Sequence, residues 1–214
     1  MSCTQIKCSS FFYNRSIWNR AFIWLKRFRK RKGYSIQSPW AFSYARYIIL
    51  AKDQYYAFCS LKELYNKAQS NKLPRKRYEL LFRLANNMQA KEWVLLGGKG
   101  ELEMAYLKAA RSKIALRDFT PNSFFTLPSE SCLFLVNTEY LTLEEVQENI
   151  SFVLNHANEK DILVISGLQR SKALRLFWKS ITQHPKARSS FDLYEAGIIC
   201  FNSLYPQMCY LINY

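Results

Sequence analysis

The last two thirds of the sequence alternate short apolar runs with longer stretches of helical periodicity, and this alternation limits the possible folds. Apolar runs occur at 93–96, 132–137 and 162–166, and each precedes a stretch in which apolar residues recur every three or four positions. Strands of about five residues that alternate with helices build a mostly parallel sheet with helices on both faces. The sequence therefore predicts a doubly wound α/β domain.

The end of the chain departs from that alternation. Within residues 189–214, the stretches SSFDLYEAGIICFN and QMCYLINY are rich in strand-forming residues and are separated by a short turn. We predict antiparallel strands at this edge of the sheet. Together with the earlier elements they form one domain, residues 78–214, whose ligands are expected beyond the carboxyl ends of its strands.

Residues 1–77 are basic and aromatic, and we predict that they form an α-helical extension. The first 78 residues hold 17 Lys and Arg against 2 acidic residues, whereas the rest of the chain holds 14 of each. The whole net charge of +15 therefore lies in the first third. Such a distribution indicates an anionic partner, or a basic surface that keeps the protein in solution.

The segment SIWNRAFIWLKRFRKR, residues 16–31, has the pattern of an amphipathic basic helix. The cations expected to contact an anionic surface are Arg20, Lys26, Arg27, Arg29, Lys30 and Arg31. Aromatic residues between cations suit base stacking with phosphate contacts, and they equally suit an anionic membrane surface. We predict that residues 15–32 bind nucleic acid or such a membrane. The alternative is that the apolar face packs on the α/β domain and the charges are solvated.

The six cysteines show no paired spacing, and the first residues lack the apolar region of a secretory signal. We expect reduced, mostly buried thiols in a cytoplasmic protein. No cysteine and histidine spacing supports zinc, so no metal is expected. No apolar run approaches the roughly 20 residues of a membrane-spanning helix.

Three of the six glycines lie in one window, EWVLLGGKGELEMAYLKAA, residues 92–110. Gly97, Gly98 and Gly100 follow an apolar run and precede a helical pattern. A strand, a glycine turn and a helix N-terminus together let backbone N–H groups approach a ligand. The window predicts either a cofactor loop or a simple strand-to-helix turn. It contains neither a Walker A loop nor a complete GxGxxG motif.

Five stretches resemble those of one family: KGYSIQSPWAF, YELLFRLANNMQAKEWVLLGG, AYLKAA, FWKSITQHP and SFDLYEAGIICF. They are similar to bacterial class I methyltransferase-like proteins that use S-adenosylmethionine (SAM) and carry a basic N-terminal helical segment. The likeness extends from about Lys32 through nearly the whole chain. It implies a SAM-methyltransferase-like Rossmann fold. It also implies a set of SAM-binding positions, if SAM binds: Gly97, Gly98, Gly100, Asp118 and Asn137.

The chain departs from this family around the first strand. Leu95 stands where similar proteins carry an acidic residue in the strand. The second glycine of the family's turn falls on Glu101, or on Gly100 if the loop is one residue shorter. A carboxylate at Glu101 could repel the SAM carboxylate. Asp118 is the candidate for the acidic residue that holds the ribose hydroxyls.

The later strands show the same kind of change. The family tends to carry an Asp-Gly-Asn-His run, whereas this chain has Asn137, Thr138, Glu139 and Tyr140. It then tends to carry two aspartates, where this chain has Ser166 and Gly167. Each change removes a carboxylate or an imidazole that could orient a metal, a proton or a methyl acceptor.

We therefore expect a protein descended from a SAM-dependent methyltransferase that has lost its cofactor and metal residues and acts in binding. Two alternatives are an active methyltransferase that binds SAM through an unusual loop, and an RNA-binding or membrane-surface module. His156 and His184 are expected near helix C-termini, where a cation favours the helix dipole. Cys132 and Cys200 are expected in the core.

Overall fold

The computed structural model of this protein describes residues 21, 22, 25, 27, 28, 33, 36–68, 74–97, 100–119 and 131–214, with the backbone alone at 118 and 119. Within these residues the chain forms an α/β fold. Its strands are β1 (Glu92–Leu96), β2 (Ala115–Phe119), β3 (Cys132–Asn137), β4 (Ile162–Ser166), β5 (Ser189–Asp192), β6 (Ala196–Cys200) and β7 (Met208–Leu211). Its α-helices are α1 (Pro39–Tyr44), α2 (Ala57–Lys67), α3 (Arg75–Met88), α4 (Glu101–Ala110), α5 (Leu143–His156) and α6 (Lys172–Ile181), and α1 continues into a π-helical stretch, Ala45–Ile49.

The seven strands of the described chain form one sheet in the order β2-β1-β3-β4-β6-β5-β7. Only β6 is antiparallel to its neighbours, β4 and β5; the other neighbouring strands are parallel. The prediction of a mostly parallel, Rossmann-like sheet is confirmed. The predicted antiparallel pair is present as β5 and β6, but it lies inside the sheet, because β7 adds to β5 as a parallel strand.

Helices cover both faces of the sheet, because successive side chains of a strand point to opposite sides. On one face Trp93, Leu95 and Leu135 pack with α1, α3 and α4. On the other face Val94 and Phe134 pack with α5 and α6. Both faces exclude water, and this explains why the central strands are unbroken apolar runs in the sequence.

Residues 36–49 share the core of the sheet. Trp40 stacks on Tyr44 with ring centroids 5.2 Å apart, and Tyr44 stacks on Phe191 of β5 at 5.3 Å. The first described helices are therefore part of the same packed body as the strands.

Helix α3 begins at Arg75, before the point at Tyr78 where the sequence changes character. The division of the chain into an extension, residues 1–77, and a domain, residues 78–214, stays a prediction. None of the helices in the described part of the chain has the length and apolar character needed to cross a lipid bilayer.

The strand order reverses at β1. From β1 the chain passes to β2 on one side, and later it enters β3 on the other side. In sheets of this kind a crevice opens outside the carboxyl ends of the strands at the reversal, and ligands bind there. The candidate site therefore consists of the residues that follow β1 and β3.

Candidate functional site

The turn after β1 requires a glycine, and a leucine side chain fills the space beside it. Gly97 has a φ of +88°, a conformation that glycine adopts at little cost. A Cβ atom at this position would lie 2.4 Å from Cγ of Leu141. Leu141 belongs to the loop after β3. Its side chain thus occupies the space that Gly97 leaves open at the carboxyl edge.

The glycine before α4 is covered in a similar way. A Cβ atom at Gly100 would lie 2.7 Å from Oε2 of Glu103. Glu103 is in the first turn of α4 and is only 7% exposed. Its carboxyl group therefore lies close to the helix N-terminus, where an anionic ligand group would otherwise be favoured.

Buried polar side chains join the ends of β3 and β4. The Thr138 hydroxyl donates a hydrogen bond to the carbonyl oxygen of Ser166 at 2.8 Å. The Ser166 hydroxyl donates to Oδ1 of Asn137 at 3.4 Å, and the same oxygen accepts from the backbone N–H of Glu139 at 3.2 Å. These groups therefore satisfy one another's hydrogen bonds at the ends of two neighbouring strands.

Asn137 also connects this cluster to Glu103, because its Nδ2 donates to Oε1 of Glu103 at 3.4 Å. Burial raises the pKa of Glu103 and outweighs a backbone hydrogen bond that lowers it, and the charge of Glu139 raises it further. Burial, followed by the charges of Glu103 and Glu139, also raises the pKa of Tyr140. A raised carboxyl pKa favours the neutral acid, which can donate a hydrogen bond.

Arg170 holds the loop that carries Leu141. Its Nη1 donates to the carbonyl oxygens of Thr138 and Leu141, the latter at 2.9 Å. Because Arg170 follows β4, the guanidinium joins the loops of two neighbouring strands. It thereby keeps the Leu141 side chain against Gly97. Sequence reasoning did not identify Glu103, Leu141 or Arg170, since no local pattern marks them.

A small cavity lies in the core close to the candidate site. It has a volume of about 10 Å³ and lies between α4 and the sheet, and Leu95, Glu103 and Leu107 are among the residues that line it. A single water molecule needs about 10–15 Å³, so this cavity holds at most one. Leu95, where the resemblance implies an acidic residue, is buried in the core.

The structure brings Gly97, Gly100 and Asn137 together at the carboxyl edge, and whether they bind SAM stays a prediction. Asp118 lies in β2 and pairs in register with Leu95, but its side chain is outside the described atoms. Six more predicted residues lie outside the described residues: Gly98, Arg20, Lys26, Arg29, Lys30 and Arg31. Among the residues that the structure describes, no group of three or more His, Cys, Asp or Glu is placed to hold a metal ion.

Arg27 belongs to the predicted basic segment, and its guanidinium points toward the sheet. Its side chain is 12% exposed, and Nη1 lies 3.0 Å from Oδ1 of Asp192. Asp192 also pairs with Arg175 at 2.8 Å. In the same segment Phe22 and Leu25 are 55% and 66% exposed. At these positions the cation turns inward and the apolar side chains turn to solvent. That Arg27 contacts an anionic partner stays a prediction.

The histidines and buried cysteines lie where the sequence predicted. His156 is the last residue of α5, with Nδ1 2.8 Å from the carbonyl oxygen of Phe152, and His184 follows α6. Cys132 and Cys200 are buried in strands, whereas Cys59 and Cys209 are exposed, so the expectation of mostly buried thiols does not hold among the four described cysteines. Burial raises the pKa of Cys200 to about 12, and burial together with the charge of Asp161 raises the pKa of Cys132 as well. Both side chains are therefore protonated thiols at neutral pH and poor nucleophiles.

Comparison of the sequence with protein-family models finds no matching family, and comparison with curated proteins finds no match.

Proposed function

We propose that this protein is a non-catalytic binding protein with a SAM-methyltransferase-like fold, and that it no longer uses the cofactor. The observation that carries the proposal is the filling of two glycine positions at the carboxyl edge. The Leu141 side chain covers Gly97, and the Glu103 carboxyl group covers Gly100. In a cofactor loop these positions let backbone N–H groups reach the ligand. Here the chain's own side chains occupy that space.

The chemistry of the surrounding residues supports the same conclusion. Leu95 is buried and packs in the core, where the resemblance implies an acidic residue that faces the cofactor. Asn137 and Ser166 hydrogen-bond each other at the two positions where the family has aspartates. An amide and a hydroxyl are neutral. They do not supply the negative charge that binds a metal ion or that removes a proton from a methyl acceptor.

Calorimetric titration with SAM and with S-adenosylhomocysteine tests this function. We expect no binding, or binding weaker than a Kd of about 10 μM, which corresponds to about 7 kcal/mol. Saturable binding tighter than that would overturn the proposal. Such binding would favour the alternative of an active SAM-dependent methyltransferase.

A double variant makes the test sharper. Leu141→Ala removes the side chain over Gly97, and Glu103→Ala removes the carboxyl group over Gly100. If the filled space excludes the cofactor, the double variant binds SAM more tightly than the wild-type protein. Leu176→Ala is the matched control, because Leu176 lies exposed on α6. Equal SAM affinity in the wild type and the double variant would contradict the role of Leu141 and Glu103.

A second candidate function is attachment to an anionic surface through residues 15–32. The observation that favours it is the exposure of apolar side chains in this basic segment, most of all Leu25. Basic stretches that present apolar side chains to solvent are typical of segments that lie on anionic membranes. The same cations also suit the phosphates of nucleic acid. Retention on anionic vesicles and on RNA separates these two partners.

A further inference from the structure

A second and larger cavity lies on the carboxyl side of the sheet, beside α3. Its volume is about 620 Å³, within the range of about 300–1,000 Å³ that is typical of small-molecule sites. It is bounded by the first half of α3, by residues 50–54 and by the end of the described chain at Asn213 and Tyr214. A short connection joins the end of α3 to the start of β1. The N-terminus of α3 therefore faces the carboxyl side of the sheet.

The wall of this cavity is predominantly cationic. Five cationic and two acidic side chains line it: Lys52, Lys62, Arg75, Lys76 and Arg83, with Asp53 and Glu79. Arg75 pairs with Glu79 at 2.9 Å. Lys52 and Lys62 are exposed and form no ion pair with any described residue. The wall thus carries positive charge that its own carboxylates do not neutralise.

Arg83 adds a buried charge to the same wall. It is only 4% exposed, and its guanidinium donates to the carbonyl oxygens of Ile48 and Ile49 at 2.8 and 3.1 Å. It also donates to the hydroxyl of Tyr214 at 3.3 Å. All three partners are neutral, and among the described residues no carboxylate lies within ion-pair distance. Because a buried charge without a counter-ion costs several kcal/mol, an anion in the cavity would be stabilised by Arg83.

The start of α3 also favours a negatively charged ligand in the cavity. This helix has 14 residues, and in the described chain no side chain caps its N-terminus and no acidic residue stands in its first turn. The first backbone N–H groups of a helix have no partner within the helix, and the helix dipole favours negative charge there. At α3 these groups lie beside Arg75 and Lys76, which both line the cavity.

We propose that this cavity binds a small phosphorylated molecule, with a phosphate group between Lys52, Lys62 and the start of α3. A phosphate monoester carries about two charges and three acceptor oxygens, and it therefore suits several dispersed donors better than a single carboxylate does. The cavity is larger than a phosphate group. Leu50 and Phe58 offer apolar surface for an organic part. This site is separate from the glycine turn, so the proposal does not depend on whether SAM binds at that turn.

Calorimetric titration of the full-length protein with ADP and with pyrophosphate tests the site. We expect saturable binding of both, and tighter binding of ADP, because its organic part contacts Leu50 and Phe58. The double variant Lys52→Ser/Lys62→Ser should bind ADP about tenfold more weakly. Lys160→Ser/Lys179→Ser is the matched control, since it removes the same charge at exposed positions that do not line the cavity. The control should bind ADP like the wild type.

Three results would overturn the proposal. The first is the absence of saturable binding of ADP by the wild-type protein, whether or not that protein also binds RNA. The second is an equal loss of ADP affinity in the cavity variant and the control variant, which would show an effect of net charge alone. The third is equal affinity for ADP and pyrophosphate, which would leave the organic part without a role.

Discussion

At the scale of single residues, Asp192 joins the basic segment to the sheet. It lies buried at the end of β5 and accepts hydrogen bonds from Arg27 and Arg175, and from Nε1 of Trp178 at 3.2 Å. Burial by itself raises the pKa of Asp192, but the hydrogen bonds and charges of Arg175 and Arg27 outweigh burial and lower the pKa below its usual value. The ionised carboxylate is therefore the form that stabilises the fold.

We expect Asp192→Asn to lower the free energy of unfolding by about 3 kcal/mol at pH 7, because it leaves two partly buried arginines without their counter-ion. The pKa of Asp192 is lower in the folded state than in the unfolded state. Its stabilising effect is thus present above about pH 4 and is lost as the pH falls through the folded pKa. Urea denaturation of the wild type and of Asp192→Asn, at pH values from 7 to 3, gives the difference in the free energy of unfolding as a function of pH.

The control for that experiment is Asp53→Asn, at an exposed carboxylate that forms no ion pair with any described residue. It should change the free energy of unfolding by less than about 0.5 kcal/mol. Two results would contradict the stabilising role of the ionised carboxylate. One is equal stability of the two variants at pH 7. The other is a difference in the free energy of unfolding between the wild type and Asp192→Asn that does not become smaller below about pH 4.

At this scale the sequence predicted residue types better than partners. The buried thiols of Cys132 and Cys200 followed from their place in apolar runs. The ion pair of Arg27 with Asp192 could not be predicted from the sequence, because the two residues are 165 positions apart. A helical pattern places Arg27 on the polar face, and only the folded chain shows a carboxylate opposite it.

At the scale of elements, the contact between the turn after β1 and the loop after β3 closes the candidate site. We expect Gly97→Ala to lower the free energy of unfolding for two reasons. The positive φ costs about 1–2 kcal/mol for an L-residue, and the new Cβ atom would overlap the Leu141 side chain. Leu141→Ala in the same chain removes the overlap but not the φ strain. The double variant should therefore recover about 1 kcal/mol relative to the sum of the two single changes.

Gly33→Ala separates the two causes. Gly33 also has a positive φ, +72°, but its nearest atom to an added Cβ is at 3.5 Å, an ordinary contact. It should show the conformational cost without the overlap. Thermal or urea unfolding of the four variants gives the comparison. Strictly additive effects of Gly97→Ala and Leu141→Ala would contradict the packing of Leu141 against Gly97.

Elements with a local signal were predicted well. The apolar runs of the sequence mark β1, β3 and β4. Strand order was beyond reach, because pairing depends on contacts between distant segments. The sequence therefore predicted the antiparallel pair of β5 and β6, but not that β7 would place this pair inside the sheet. For the same reason it indicated the glycine turn of the candidate site, but not the side chains that cover it.

At the scale of the whole molecule, the charge distribution and the inward position of Arg27 decide how an anionic partner should be sought. Arg27 pairs with Asp192, so its removal would alter stability as well as binding. We therefore expect the triple variant Lys26→Ser/Arg29→Ser/Lys30→Ser to lose affinity for anionic vesicles while the fold is kept. The loss should be about hundredfold at low salt, at about 1 kcal/mol for each cation near the surface. The control is Lys160→Ser/Lys172→Ser/Lys179→Ser, three exposed lysines of the neutral region.

Leu25→Ser distinguishes a membrane from RNA as the partner. Membrane attachment uses apolar side chains as well as charge, so removing the exposed Leu25 side chain should weaken sedimentation with vesicles that contain phosphatidylserine. Binding to RNA depends on phosphate contacts, and its affinity falls log-linearly with salt concentration. Leu25→Ser should therefore leave the affinity for RNA unchanged. The triple variant should reduce the salt dependence of that affinity. Retention on both partners that is the same for the wild type and the triple variant would rule out residues 15–32 as the binding segment. The segment would then serve to hold Arg27 against Asp192, with its other cations in solvent.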